Sequence, residues 1–513
     1  MVIRTVKSAI NLALLVPALL ALTTSLSFAS TLSVPSGGDL QAAINAAQPG
    51  DTILIAAGAT FVGPFTLPNK SGTASWIILR TSAPDSSLPP AGGRISPSYS
   101  SVLPHLVAPG ANDPVIRTAA AAHYYRLLGL EIAPPSTTAV VSTLVKLGDG
   151  SSAQNSLSQV PHDLVLDRCY LHGLPTATLK RGVELNSAST SILNCYISDC
   201  KSTTQDSQAI CGWNGPGPFD LTNNYLEGAA ENVMFGGSDP WISGLIPSDI
   251  TIRNNNFFKP LSWRVGDPSY AGIHWIIKNI FEIKNAQRVT IDSNVFENCW
   301  ADAQTGFAIS LKSANQSGTA PWSVCQDVTF TNNIVRHAGS GVNIQGESGS
   351  YPSNKVARLT LTSNLFDDIS AANWGGSGYF MQITDGDSVT INHNTVIQTG
   401  NIINVYGKIV TQFTYTNNIT AHNASGVKGD ATAIGNATLA AYFPSCVFAK
   451  NVLEGAPQDA GLYPPGNYFP ATWSDVGFVD FAGGNYTLAG TSPYKNAATD
   501  GTDIGCVFTN LPK

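Results

Sequence analysis

The sequence predicts an all-β solenoid of parallel sheets, and three observations carry that prediction. A β-branched alternating run, then Asn or Cys, then a bulky apolar pair recurs ten times between Asp163 and Glu454. The copies are DRCYL (167–171), LNCYI (193–197), TNNYL (222–226), NNNFF (254–258), DSNVF (292–296), TNNIV (331–335), TSNLF (362–366), NHNTV (392–396), TNNIT (416–420) and AKNVL (449–453). Their marker residues are Cys169, Cys195, Asn224, Asn256, Asn294, Asn333, Asn364, Asn394, Asn418 and Asn451, spaced from 24 residues (394 to 418) to 39 (294 to 333). That period belongs to repeat architectures. No amphipathic helix within the repeat is long enough to cover a sheet, so each unit can bury its apolar face only by winding into a coil and stacking on the next. Composition agrees: 12% charged residues and 47 glycines suit turn-rich β structure rather than disorder or a coiled coil.

Taken in order, the chain opens with an export signal. Arg4 and Lys7 precede an apolar run, Ala9 to Leu22, broken by Asn11 and Pro17, and Ser27-Phe28-Ala29 supplies a cleavage site after Ala29. The expected destination is secreted or periplasmic, since the run is too short to span a membrane and no other stretch approaches a span. The expected divisions are the signal (1–29), an N-terminal cap with the first coils (30–130), β-helix repeats (131–455) and a closing segment (456–513). No linker separates them, so they form one continuous domain.

The cap is an amphipathic helix over Asp39 to Ala47, with Leu40, Ala43, Ile44 and Ala47 on one face, followed by the turn Pro49-Gly50-Asp51 and the strand Thr52 to Ala56. It closes the first coil, whose core and edge would otherwise be open. In the repeats, Asn at a fixed place is explained by its tolerance of left-handed backbone and by amides that bond along a stack. Irregular spacing places long turns on one flank of the cylinder. Cys169 and Cys195 share a repeat position, which leaves a buried thiol stack or a disulfide open. The spacings of Cys200, Cys211, Cys299, Cys325, Cys446 and Cys506 do not suit a zinc site.

Together the helix-then-PGDT opening (40–52), the Asn-bearing coils and the closing TDGTDIG (499–505) resemble the single-stranded right-handed parallel β-helix proteins of the pectate-lyase-like superfamily. The blocks ENVMFGGSDP (231–240) and KNIFEIKNAQRVTIDSNVFENCW (278–300) are similar to an exported bacterial subset of unassigned activity. The resemblance implies a polysaccharide substrate class: members include lyases, hydrolases, esterases and epimerases, with some adhesins. Glu282, Lys284 and Arg336-His337 resemble the charged set of the alginate and dermatan lyases of this fold. Gln205-Asp206-Ser207, one coil before Glu231-Asn232, resembles pectin methylesterases, with Asp206 as the acid and Glu231 or Asn232 at the nucleophile position. The Asp pair of polygalacturonases has a counterpart only in Asp367-Asp368, read as a turn.

Strand alternation then selects the outward side chains of a second strand per coil: Glu184, Ile210, Met234, Glu282, Ser310, Asn343, Gln382 and Asn404 in one column, and Asn186, Gly212, Gly236, Lys284, Lys312, Gln345, Thr384 and Tyr406 in the next. Just before these strands the register stacks Lys180-Arg181, Asp206-Ser207-Gln208, Glu231-Asn232 and Lys278-Asn279. In a chain with net charge −7 and 27 Lys and Arg, that concentration is either a site or a ladder of solvated ion pairs. As a site, Lys180, Arg181, Asp206, Glu231, Lys278, Glu282 and Lys284 are the catalytic candidates, because uronate chemistry needs cations beside proton-transfer groups.

Glu184, Gln208, Trp213, Asn232, Trp241, Arg264, Asn279 and Lys312 are the substrate-binding candidates. Trp213, Trp241, Trp263, Trp275, Trp300 and Trp322 cluster where the turns are longest and supply a cleft wall. His274 and His337 look isolated from any carboxylate. The functional expectation is a lyase on an acidic polysaccharide, with an esterase and a non-catalytic glycan-binding protein as alternatives. With no basic run, no nucleic-acid partner is expected, and a monomer is expected. The Asp and Asn content permits calcium, but no fixed-spacing loop demands it.

Overall fold

The computed structural model describes residues 1, 2, 5, 29–72 and 74–513, and the export-signal expectation lies almost wholly outside them. Three parallel sheets of 14, 13 and 12 strands run along the chain, and each coil gives one strand to each sheet in turn. One coil shows the winding: His162–Asp167 enters the first sheet, Tyr170–His172 the second and Thr178–Asn186 the third, after which Ala188–Leu193 pairs in parallel with His162–Asp167. The architecture is a right-handed parallel β-helix: the repeat predicts the stacked parallel sheets, and the resemblance implies the right-handed β-helix.

Its core is a set of apolar columns. Along the first sheet Leu166, Ile192, Leu221, Ile252, Ile291, Phe330, Leu361, Ile391 and Tyr415 stand in register, and all are buried. Each such side chain contributes about 1.5–3 kcal/mol of burial, and β-branched residues fit the pleated surface.

At the corner between the first and second sheets the Asn repeat forms a continuous ladder. The backbone N–H of Cys195 donates to Asn224 Oδ1 at 2.9 Å, and the pattern continues through Asn255, Asn294, Asn333, Asn364, Asn394, Asn418, Asn451 and Asn467. Two expectations need correction. In the NNNFF copy the ladder residue is Asn255, while Asn256 pairs with Tyr225 and Val295 inside the second sheet. The left-handed backbone belongs to the residue before each rung, at φ 54–59° for Asn194, Asn223, Asn254, Ser293, Asn332, Ser363, Asn417 and Lys450. The rung itself therefore owes its Asn to the amide alone.

Cys169 and Cys195 are free thiols, with Cys169 N–H donating to Cys195 Sγ at 3.4 Å; they continue the ladder in sulfur, and the disulfide alternative falls. Asn294→Ala removes donors to Ile252 O and Asn333 Oδ1 and orphans the N–H of Asn255. The expected cost is about 2–3 kcal/mol, read as a lower denaturant midpoint at unchanged slope.

The N-terminal cap forms as expected over Leu40–Ala46, with Asp39 Oδ1 accepting from Ala42 N–H and Leu40 and Ile44 buried. Gln41 exchanges two hydrogen bonds with the backbone of Thr66, closing the free edge of the third sheet. Two segments run along the outside of the stack. Near the N-terminus, Ile95 N–H donates to Asn194 O and Arg94 donates to Asn223 O and Asn254 O, which spans three coils.

The C-terminal segment contributes more than an irregular closure. It contains an antiparallel pair, Phe478–Asp480 with Asn485–Leu488, and then runs back along the cylinder: Gly505, Cys506 and Val507 donate to Asn417 O, Thr395 Oγ1 and Ser363 Oγ. Tyr486 OH donates to Asp367 Oδ1 at 2.7 Å. Asp367 and Asp368 accordingly lie in the strand Leu365–Ile369 rather than in a turn.

Candidate active site

The third sheet forms a floor between two walls of turns, a near wall arriving from the second sheet and a far wall leaving for the first. Its interior column is Val183, Ile210, Val233, Phe281, Ile309, Val342, Met381 and Ile403. The neighbouring outward column is Glu184, Cys211, Met234, Glu282, Ser310, Asn343, Gln382 and Asn404, so the expected phase slips by one residue in the second coil. Cys211 replaces Ile210, and Gly212 pairs with Phe235 in an interior column. The cause is local: Ala209 and Ile210 are both fully buried at the corner, so alternation has no polar residue there to mark its phase. Trp213 takes the place assigned to Gly212, its N–H donating to Asn186 Oδ1.

The charged residues do line up. Arg181, Gln208 and Glu231 are register partners on successive coils, and Lys278-Asn279 precedes the next strand. Lys278 Nζ lies 2.5 Å from Asp206 Oδ2, and Gln208 Nε2 donates to Glu231 Oε2 at 2.7 Å. Glu282 is held by Lys312 at 2.7 Å and Lys284 at 3.8 Å. Arg181 reaches Glu184 at 3.9 Å and lies 4.9 Å over the Trp213 ring. Two carboxylates occupy the floor, Glu231 and Glu282 at 1% and 0% exposed, whereas the side chains of Lys278, Lys284 and Lys312 are 15–20% exposed and that of Asp206 is 43% exposed. Gly236 keeps the floor open, since a Cβ there would meet Lys284 Cβ at 2.8 Å.

Burial, with the charges of Glu282 and Asp206, pushes the Glu231 carboxyl up to about 7, against the Gln208 hydrogen bond and Lys278. Burial and then the adjacent Arg181 push the Lys180 amine down. For Lys278 burial acts downward, but Asp206, Glu231 and Glu282 hold it above the ordinary lysine value. Beneath Glu231 lies a residue the sequence reading did not single out. Lys259 is fully buried, its Nζ donating to the carbonyls of Gly228, Ala229 and Ala230 at 2.5, 2.9 and 2.9 Å, and burial lowers it to about 8. It fixes the turn from which Glu231 emerges.

The remaining candidates divide. Asn232 is sealed inside the coil, donating to Leu226 O and Phe258 O, so it serves the corner and lies out of a substrate's reach. Asn279 donates to Phe307 O. Trp213 is nearly buried, with Nε1 bonded to Gly150 O. Trp241 is 55% exposed and lines a cavity of about 440 Å³ with Asp239 and Trp322 in the far wall.

Arg264 lies in the near wall, away from the charged row, 4.7 Å over Trp374. There Trp263, Trp275, Trp300 and Trp374 pack together; Trp374 escaped the sequence reading because it follows a later coil. His274 and His337 are not isolated: they meet Asp302 at 2.8 Å and Asp368 at 2.9 Å, each from the next coil. Among the described residues no three His, Cys, Asp or Glu side chains converge to hold a metal ion, and no helix is long and apolar enough to cross a membrane.

No family model and no curated protein matches the chain. Among solved structures it is similar to an alginate lyase from Paenibacillus sp. str. FPU-7, at 12% identity over 82% of this chain and 99% of that one, with a TM-score of 0.34. It is also similar to the catalytic unit of a GH87 alpha-1,3-glucanase from Streptomyces thermodiastaticus strain HF3-3, at 11% identity over 86% and 70%, TM-score 0.48. A third is pectate lyase Pel9A, at 12% identity over 96% and 98%, TM-score 0.38.

Proposed function

We propose that the chain is an exported polysaccharide lyase that lays a uronate-containing polymer along the third sheet. The observation that carries this reading is the row of three ion pairs on adjoining coils, around a carboxyl raised to about 7. Lys278, Lys284 and Lys312 take the substrate carboxylate and draw off its negative charge, which acidifies the neighbouring C–H. Lys180, which burial and the adjacent Arg181 push below the ordinary lysine value, is assigned the base that accepts that proton. The electron pair forms a C=C bond, the glycosidic C–O bond breaks, and the departing oxygen takes the proton of Glu231. Atoms balance without a co-reactant.

The esterase alternative uses the same two coils but needs an ionised nucleophile where the Glu231 carboxyl is raised to about 7. Incubation with a panel of uronate polymers separates the readings. The expected result is growing ultraviolet absorbance from unsaturated ends without ester release. Ester release alone would establish the esterase, and polymer pull-down without any product would establish a binding protein. Asp206→Asn is expected to lower kcat/KM about ten-fold or more by unpairing Lys278, with little change in Tm because the pair is partly exposed.

A further inference from the structure

The near wall holds a pocket of about 200 Å³ lined by Trp263, Arg264, His274, Trp300, Asp302 and Trp374. We propose that this pocket binds one terminal uronate ring of the polymer, with Arg264 on its carboxylate. The inference rests on the proposed polymer groove and adds to it an end-recognition site.

Three features point to a sugar ring. Trp263, Trp300 and Trp374 line it and are all more than nine-tenths buried, so they are held rather than free to collapse into the space. Stiff aromatic walls with polar groups at the lip are the chemistry of carbohydrate pockets. Beneath them the Lys201 ammonium sits 5.5 Å from the Trp263 ring and 5.2 Å from Trp275, and its side chain is 3% exposed, which fixes the box from below.

The cation is oriented in advance. Arg264 lies flat over Trp374 and donates one N–H to Asn373 O; its remaining donors keep the fork that matches a carboxylate. Opposite, His274 Nε2 meets Asp302 Oδ1 at 2.8 Å, and Asp302 Oδ2 accepts from Ile277 N–H at 3.2 Å. That pair is fixed, with the imidazole ring 62% exposed to meet hydroxyls.

Two facts make it a site for a chain end beside the groove. Ala301 N–H donates to Trp374 O at 2.9 Å, and a Cβ on Gly375 would meet Ala301 Cβ at 3.0 Å, so backbone closes the far side against a polymer threading through. Ile277, which anchors Asp302, is the chain neighbour of Lys278 in the charged row.

The test uses monosaccharides, which a lyase cannot cleave because they have no glycosidic bond. Galacturonate, mannuronate and glucuronate, each against its neutral hexose, are titrated into the full protein with tryptophan fluorescence and calorimetry as readouts. At least one uronate is expected to bind saturably, about ten-fold or more tighter than its hexose. Arg264→Gln is expected to erase that preference with an unchanged circular dichroism spectrum. Ala301→Trp, which fills the pocket without touching a proposed contact, is expected to abolish both titrations. Should either variant fail to fold, His274→Gln at the exposed lip is expected to weaken uronate binding several-fold.

No saturable binding by any of the three uronates, or wild-type affinity in the folded variants, overturns the proposal. Binding retained in a protein that makes no unsaturated product would sink the lyase reading and leave this site standing. Product formation with no monosaccharide binding would do the reverse.

Discussion

Glu231→Gln is expected to abolish turnover, by about 10²–10⁴-fold, while making the protein more stable above neutral pH. Glutamine keeps the shape and can still accept from Gln208, but it has no proton to deliver. The stability change follows from the carboxyl's position, raised from 4.5 to about 7 in the fold. Between those values the folded state holds a proton that the unfolded chain has released. The carboxyl's contribution to stability is therefore complete below about 4.5 and is lost as pH rises through about 7, a swing of roughly 3 kcal/mol. In the variant that swing disappears. Denaturant unfolding at pH 5 and pH 8, alongside the polymer assay, checks both halves. Activity retained in the variant, or an unaltered pH slope, contradicts the assigned role.

Lys259→Met has the opposite character. The two side chains are close in length, but methionine leaves the carbonyls of Gly228, Ala229 and Ala230 buried without a donor. Removing one partner of such a buried charged network costs about 3–5 kcal/mol. The wild-type protein should also gain stability from this group as pH rises from about 8 toward 10.5: the lysine is lowered to about 8 in the fold, so over that window the unfolded chain binds the extra proton. The variant lacks that gain. Unfolding free energies at pH 7 and pH 10 measure both effects. A Tm equal to wild type would show that the turn before Glu231 stands without its ammonium.

The winding was legible in the sequence because it is written in residues that repeat. Ten marker positions at coil spacing, with apolar columns on one side, admit few other ways to bury the core. The charged row was legible for the same reason: Arg181 and Glu231 sit at one register position on their coils, with Asp206 two residues before that position on the coil between them and Lys278 just before the next strand. Phase was harder. At Gln208 to Gly212 two buried residues follow one another at a corner, and in NNNFF three identical side chains leave the rung ambiguous by one position.

What escaped was contact between coils. Asp302 and Asp368 lie 28 and 31 residues beyond His274 and His337, one turn of the cylinder, so the repeat spacing itself could have found both partners. Lys259 gave no such signal. A lysine after Phe257-Phe258 and before a proline reads as a solvated turn, and only the three carbonyls around it reveal that it is inside. Trp374 lies two coils beyond the main tryptophan cluster, and only the fold brings it beside Arg264.

The two segments that run along the outside of the stack bear on how the molecule comes apart. A pile of coils joined only to their neighbours resembles a zip: it can fray from either end one tooth at a time, and damage stays local. Arg94, tied to coils reached by residues 223 and 254, and the tail at 505–507, tied to residues 417, 395 and 363, act as stitches sewn across several teeth. Opening one coil beneath a stitch loosens its neighbours too, so the stretches they cover should yield as blocks, and the stitch at residues 94–95 takes in the coils that carry Asp206 and Glu231.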